Sequence, residues 1–336
     1  MRTRLRLATR RSLAALLALS ILLAVGCQAG GGSATLDDAA YFIVKRTING
    51  NTVRYIERVH SRRFTDVRDC FFVDCGLTFD NPITISAVAK TKPVVVTTAA
   101  NHGLAVDDEV DLSDIVWAPD VNDVSTETQP AQLNGGRYKI GAVPTATTLT
   151  LLTLDGADVD ALNFNAYFED GKVRKAVSTL LGFHHLAGED VIALCDGSVV
   201  RGLTVSATGS VALPRKFSRV HLGFPYFADW ELLDIEAPGA GTLQGRRRNV
   251  HTVMIRLERS RGLWFGPNVD NLTELKQRQD EAYGEPTALL TDDVDVTLRP
   301  EWNSNGRVYF RQRDPLPTTI LGIVPRFEIE GAEDEE

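Results

Sequence analysis

The chain has 336 residues, 43 % hydrophobic and 24 % charged, enough apolar content for two or three domains with buried cores. Gly and Pro total 41 residues with no repeat period, which excludes collagen-like and low-complexity chains. The formal charge is −8; the first 26 residues hold five Arg and no acid, and the remainder, with 31 basic and 44 acidic residues, carries −13. The body as a whole would therefore repel nucleic acid, and any DNA contact needs a local basic patch.

Residues 1–27 read as an export signal. Arg2, Arg4, Arg6, Arg10 and Arg11 precede an apolar run of 13 residues, Leu13 to Val25, too short to span a bilayer as a helix. Ala24-Val25-Gly26-Cys27 resembles a bacterial lipoprotein signal, in which Cys27 would be the lipidated residue and the protein's membrane anchor. An ordinary cleaved signal and a fused gene start are the alternatives. Residues 28–36, with Gly30-Gly31-Gly32-Ser33, read as a flexible linker.

From Tyr41 onward the pattern is β. Tyr41 to Val44 and Val53 to Val59 flank Asn49-Gly50, which supplies the positive φ of a tight hairpin turn. Phe71 to Thr78 reads as a strand closed by Asp80-Asn81-Pro82. Five residues of strand between Cys70 and Cys75 span ~16 Å, which argues against a disulfide. Val94 to Thr98, Val106 to Leu112, Arg137 to Ile140, Thr147 to Leu154 and Ala166 to Phe168 are short strands with turns between them, as in a small barrel or sandwich. Val191 to Leu194, Val199-Val200, Leu203 to Val205 and Val211 to Leu213 continue the series, with Asp196-Gly197 and Thr208-Gly209 at turns. Val250 to Arg259 alternates apolar and polar residues. Leu272 to Glu281 is a helix candidate, polar nearly all round. Val294 to Leu298, Arg307 to Arg311 and Thr319 to Val324 close the fold. The expected class is mainly β: a platform of short antiparallel strands (37–92 and 177–327) interrupted by a small β-barrel domain (93–176). An acidic tail follows, 328–336, with six acids and no base.

No Gly-x-Ser-x-Gly, His-Glu-x-x-His or phosphate-binding Gly-rich loop is present, and no enzyme activity or cofactor is expected. His184 and His185 are adjacent and in a strand would face opposite ways, unsuited to one metal. Asp292, Asp293 and Asp295 lack the Gly and bidentate Glu of a calcium loop. Arg246-Arg247-Arg248, with Arg256, Arg259 and Arg261 nearby, is the one basic concentration. It reads either as DNA-phosphate contact in a channel or, favoured, as a subunit or surface charge cluster.

Two resemblances emerge from motifs. Val96-Thr97-Thr98, Asn101-His102-Gly103-Leu104, Asp107 to Val110, Leu133 to Tyr138 and Asp155-Gly156 resemble the FCCH domain of ubiquitin-activating enzyme, a small β-domain also found in phage proteins. The likeness implies a fold and no ubiquitin chemistry, since no adenylation domain accompanies it. A Ser/Thr/Pro-containing insertion at 117–131 departs from that pattern.

On either side, Phe72 to Thr78, His185 to Val191 with Asp196-Gly197, Val220 to Tyr226, Gln244 to Arg247 and Arg311 to Thr318 come in the order of podovirus tail nozzle proteins, also called packaged-DNA stabilisation proteins. That resemblance implies a structural subunit of a homo-oligomeric ring around the DNA exit channel of a virion tail, with portal or adaptor and other tail proteins as partners. The family's long propeller-like N-terminal region is replaced here by the export signal. The alternative is therefore a lipoprotein, tethered to the bacterial envelope through Cys27, that uses a prophage-derived module to bind an envelope partner.

Overall fold

The computed structural model describes residues 40–119, 132–236, 243, 245–281 and 285–330. The export signal with Cys27, the linker, most of the 117–131 insertion and the end of the acidic tail lie outside the described residues. Within them the chain is built of antiparallel strands, as its pattern implies.

The first hairpin joins β1 (Tyr41–Ile48) to β2 (Asn51–Arg58). Asn49 and Gly50 take φ of +46° and +74°, the left-handed pair of a primed turn, whose twist matches the strands it joins. The turn end is seated on the body: the Asn49 N–H donates to Glu189 and Ile48 is buried. A short capped turn, Val67–Asp69, follows. The next strand, β3 (Asp74–Asp80), starts three residues later than the pattern suggests. Cys75 has φ +49°, and a Cβ on Gly76 would lie 2.8 Å from the Leu222 carbonyl oxygen. The chain bends there to approach its neighbour, and only glycine fits at position 76.

Strands β4 (Pro82–Ala89), β5 (Val95–Thr98), β6 (Glu109–Trp117), β7 (Arg137–Thr145), β8 (Thr148–Leu152) and β9 (Tyr167–Lys175) close a barrel in the order β4-β5-β8-β7-β6-β9. Val96, Val110, Leu112, Trp117, Ile140, Leu149, Leu151 and Val173 fill it. The barrel starts at Pro82, not at residue 93. Asp80-Asn81-Pro82 ends β3, as expected, and also opens β4, because proline is tolerated at a strand's first position, where its missing N–H breaks no ladder. Pro82 and Arg174 are register partners, so the barrel leaves the platform and returns to it at one place.

The platform continues with β10 (Val177–Leu180), β11 (Asp190–Cys195), β12 (Ser198–Thr204), β13 (Val211–Phe217) and β14 (Arg219–Phe224). Its main sheet runs β12-β11-β14-β3. Leu186, Ala193, Val220 and Leu222 form its core together with Ile48 of the hairpin. The C-terminal module comprises β15 (Ala228–Glu231), β16 (Arg248–Ser260), β17 (Leu263–Gly266), β18 (Thr273–Glu274), β19 (Leu290–Thr297), β20 (Trp302–Asn303), β21 (Tyr309–Gln312) and β22 (Ile320–Ile329). One sheet runs β15-β21-β17-β18, and the long β16 pairs with β19, β20 and β22. The helix candidate at 272–281 is β18 followed by irregular chain. Its two apolar residues, Leu272 and Leu275, make too narrow a stripe to seat a helix, and Leu275 enters the core singly.

Candidate functional site

The Arg246-Arg247-Arg248 run does not form one patch. Arg246 and Arg247 are exposed, but Arg248 is 2 % exposed. Its guanidinium donates to the Ser304 and Leu243 carbonyl oxygens, both at 2.6 Å. Arg248 is an internal strut and is withdrawn from any DNA contact: opening β16 at this residue turns its side chain inward. The neighbouring cations are engaged too. Arg256 holds Asp293 bidentately at 2.7 Å. Arg259 donates to the Phe64 and Thr65 carbonyls and lies 4.6 Å over the Phe64 ring. Arg261 donates to the Gly197 carbonyl at 2.8 Å.

The densest polar chemistry sits where the barrel meets the platform, around a cavity of about 300 Å³. Arg137 on β7 grips Asp111 on β6 at 2.7 and 2.8 Å and reaches Asp196 of the platform at 2.8 Å. Asp196 sits at the Asp196-Gly197 turn and also accepts from the Ser218 and Arg219 backbone N–H groups. Burial opposes charge on Arg137, but Asp111 and Asp196 outweigh it and raise its pKa. Arg174 on β9 pairs with Asp80 at 2.8 Å, and Asp80 also receives Arg219 at 3.2 Å. Five arginines and five carboxylates line the cavity, so it carries no net charge to attract an ionic ligand. It is a bonded junction between modules.

The hairpin carries a surface that the linear pattern did not suggest. Its outward face stacks the rungs Tyr41↔Arg58, Ile43↔Ile56 and Lys45↔Arg54. These residues share a face because side chains alternate along a strand. Tyr41, Ile43 and Ile56 are 61 %, 76 % and 64 % exposed. The opposite face is tied to the body: Arg46 bonds Glu57 and Asp74, and the Tyr55 hydroxyl donates to the His185 carbonyl at 2.8 Å. The Asn49-Gly50 turn, which fixes this register, was the available signal.

Other candidates are occupied. Asp293 and Asp295 are paired with Arg256 and Arg326. His185 lies against the Cys75 carbonyl at 3.1 Å and packs on Tyr55 and Phe183. Among the described residues no His, Cys, Asp and Glu cluster suits a metal ion. Cys70, Cys75 and Cys195 are free thiols; burial pushes Cys70 and Cys75 up to about 12, far from a reactive thiolate. Comparison with known protein families and with curated proteins finds no match to this chain.

Proposed function

We propose that the chain is a structural subunit, built like the C-terminal region of a phage tail nozzle protein, that assembles as a ring around a DNA channel. The observation that carries this reading is the use of its ion pairs. Arg46, Arg137, Arg174, Arg201 and Arg219 each hold a carboxylate distant in sequence. They tie hairpin, barrel, platform and C-terminal module to one another, and the three that line the junction cavity, Arg137, Arg174 and Arg219, are each bonded to a carboxylate. A fold cross-braced in this way keeps its outer surfaces in fixed relative positions, which a closed ring of identical contacts requires. The outward hairpin face, with exposed Tyr41, Ile43 and Ile56 beside Lys45, Arg54 and Arg58, is surface that a neighbour would cover.

Sedimentation of the purified full chain tests the proposal, with a discrete oligomer as the expected result. A monomer at every concentration, with the protein recovered in the envelope fraction of its host, would overturn it in favour of the tethered lipoprotein.

A further inference from the structure

We infer that the outward face of the β1–β2 hairpin docks on the outer face of the barrel strands β6 and β9 of a second copy of the chain. The inference rests on the ring reading and supplies its contact.

The hairpin face is in physical deficit as it stands. Lys45 and Arg54 are directly opposed, and like charges at that position destabilise a strand pair. Lys45, Arg54 and Arg58 are exposed and have no ion-pair partner among the described residues. The nearest acid along β2, Glu57, is on the other face and is held by Arg46. Between the cations lie Tyr41, Ile43 and Ile56 in water. A two-stranded sheet is marginal unless its face is covered. The partner must therefore bring an apolar centre and acids around it. A phosphate backbone brings only the charge.

The barrel carries that complement. Val116 on β6 and Phe168 on β9 are 37 % and 63 % exposed. Glu169, directly across from Val116, is exposed and has no ion-pair partner among the described residues. Asp114 and Asp170 flank it, both exposed and both at positive φ. Each has one long ion pair, Asp114 with Arg174 at 3.7 Å and Asp170 with Lys172 at 4.0 Å, and both side chains stay largely exposed, at 60 % and 65 %. The two faces are different surfaces of one chain, so their contact is heterologous and closes into a ring if the rotation allows.

A charge swap tests the contact by sedimentation of the full chain. Lys45→Glu with Arg54→Glu should weaken assembly about a hundredfold while circular dichroism keeps its β signal. Glu169→Lys with Asp170→Lys should do the same. All four changes in one chain should restore the oligomer, because the attraction is re-formed with its signs exchanged. If the hairpin change unfolds the chain, Lys45→Ser with Arg54→Ser replaces it, again with a weakened oligomer expected. A wild-type oligomer indifferent to the hairpin change would overturn this contact and leave the ring reading standing. A wild-type monomer would overturn both. Loss of binding to a DNA duplex with the oligomer intact would reassign the face to nucleic acid, and failure of the fourfold variant to reassemble would reject the barrel as its partner.

Discussion

Arg174 and Asp80 meet at 2.8 Å across the junction of barrel and platform, with the Arg174 side chain 9 % exposed. Asp80 ends the platform strand that precedes the barrel, and Arg174 sits on the strand that returns from it, beside Pro82 in the register. The two chain crossings between the modules are thereby clamped, and Arg219 joins them through the same carboxylate.

Removing Arg174 leaves Asp80 short of a partner in a partly buried place. Arg174→Ala should cost about 3 kcal/mol, the lower part of the range for breaking a buried pair. Urea unfolding followed by tryptophan fluorescence checks this. Trp117 reports on the barrel, and Trp230, Trp264 and Trp302 report on the C-terminal module. The expected result is a lower midpoint, with the barrel transition separating from the rest.

The barrel should be removable at its true ends. Replacing residues 82–175 with a short Gly/Ser bridge should leave a folded remainder, because the two ends are neighbours in one ladder. Cutting at residue 93 instead leaves β4 behind, with Ile85 and Val88 stripped of the core they fill. That product should aggregate. Circular dichroism and sedimentation distinguish the two deletions, and equal behaviour would place the boundary elsewhere.

Arg246 and Arg247 should tolerate replacement and Arg248 should not. Arg248→Ala leaves the carbonyls of Ser304 and Leu243 without their donor and opens a cavity beside β16, at about 3 kcal/mol. Arg246→Ser and Arg247→Ser should stay within about 0.5 kcal/mol, as exposed substitutions do. Thermal unfolding of the three single variants decides it.

The difference between those arginines marks what the linear sequence carries. The alternation of apolar residues and the Asn49-Gly50 turn made the class and the first hairpin readable, because period and turn chemistry are local. Whether a charged residue points in or out after a turn is not local: Arg248 faces inward because β16 begins there and a distant carbonyl, at Ser304, waits for it. The basic face of the hairpin was hidden for the opposite reason. Lys45, Arg54 and Arg58 are spread over 14 residues, and only antiparallel pairing places them side by side. The start of the barrel was hidden because Asn81-Pro82 does end β3, and β4 follows it directly with no further loop to mark a new strand.

Stability should fall on mild acidification because of His221. Its Nε2 faces the Arg68 carbonyl at 2.9 Å, which only an N–H can satisfy, and its Nδ1 lies 2.8 Å from the Thr78 hydroxyl. Burial lowers the pKa, the bond to Arg68 partly opposes this, and Arg219 lowers it again. A folded pKa depressed below the unfolded value near 6.5 gives stability that is fully present above that value and is lost as pH falls through the folded pKa. The loss has a ceiling of about 1.4 kcal/mol per pH unit for one proton. The urea midpoint should drop between pH 6.5 and 5.5 in the wild type and drop less in His221→Gln. Parallel curves would assign the titration to another group.

Strand β22 has an outer edge that pairs with no strand among the described residues. The opposite margin, β19, carries Asp292, Asp293 and Asp295, and inserted charge is how an edge strand resists pairing with other chains. β22 has no such guard over Ile320 to Pro325. Its side chains divide by face. Ile320 and Ile323 pack toward the core against strand β16, whereas Leu321 and Val324 are 59 % and 49 % exposed. Asp at Ile323 would therefore place a charge against Ile255, at roughly 4 kcal/mol, and should abolish the β signal in circular dichroism. It reports on folding and says nothing of assembly. Leu321→Lys with Val324→Lys puts charge on the exposed residues and should keep both the fold and the midpoint of unfolding. Light scattering at rising concentration is the decisive measurement: the Lys variant should scatter less than the wild type if this edge drives non-specific association. If instead it dissolves a discrete oligomer, β22 belongs to the ring contact itself, and the hairpin does not close the ring alone.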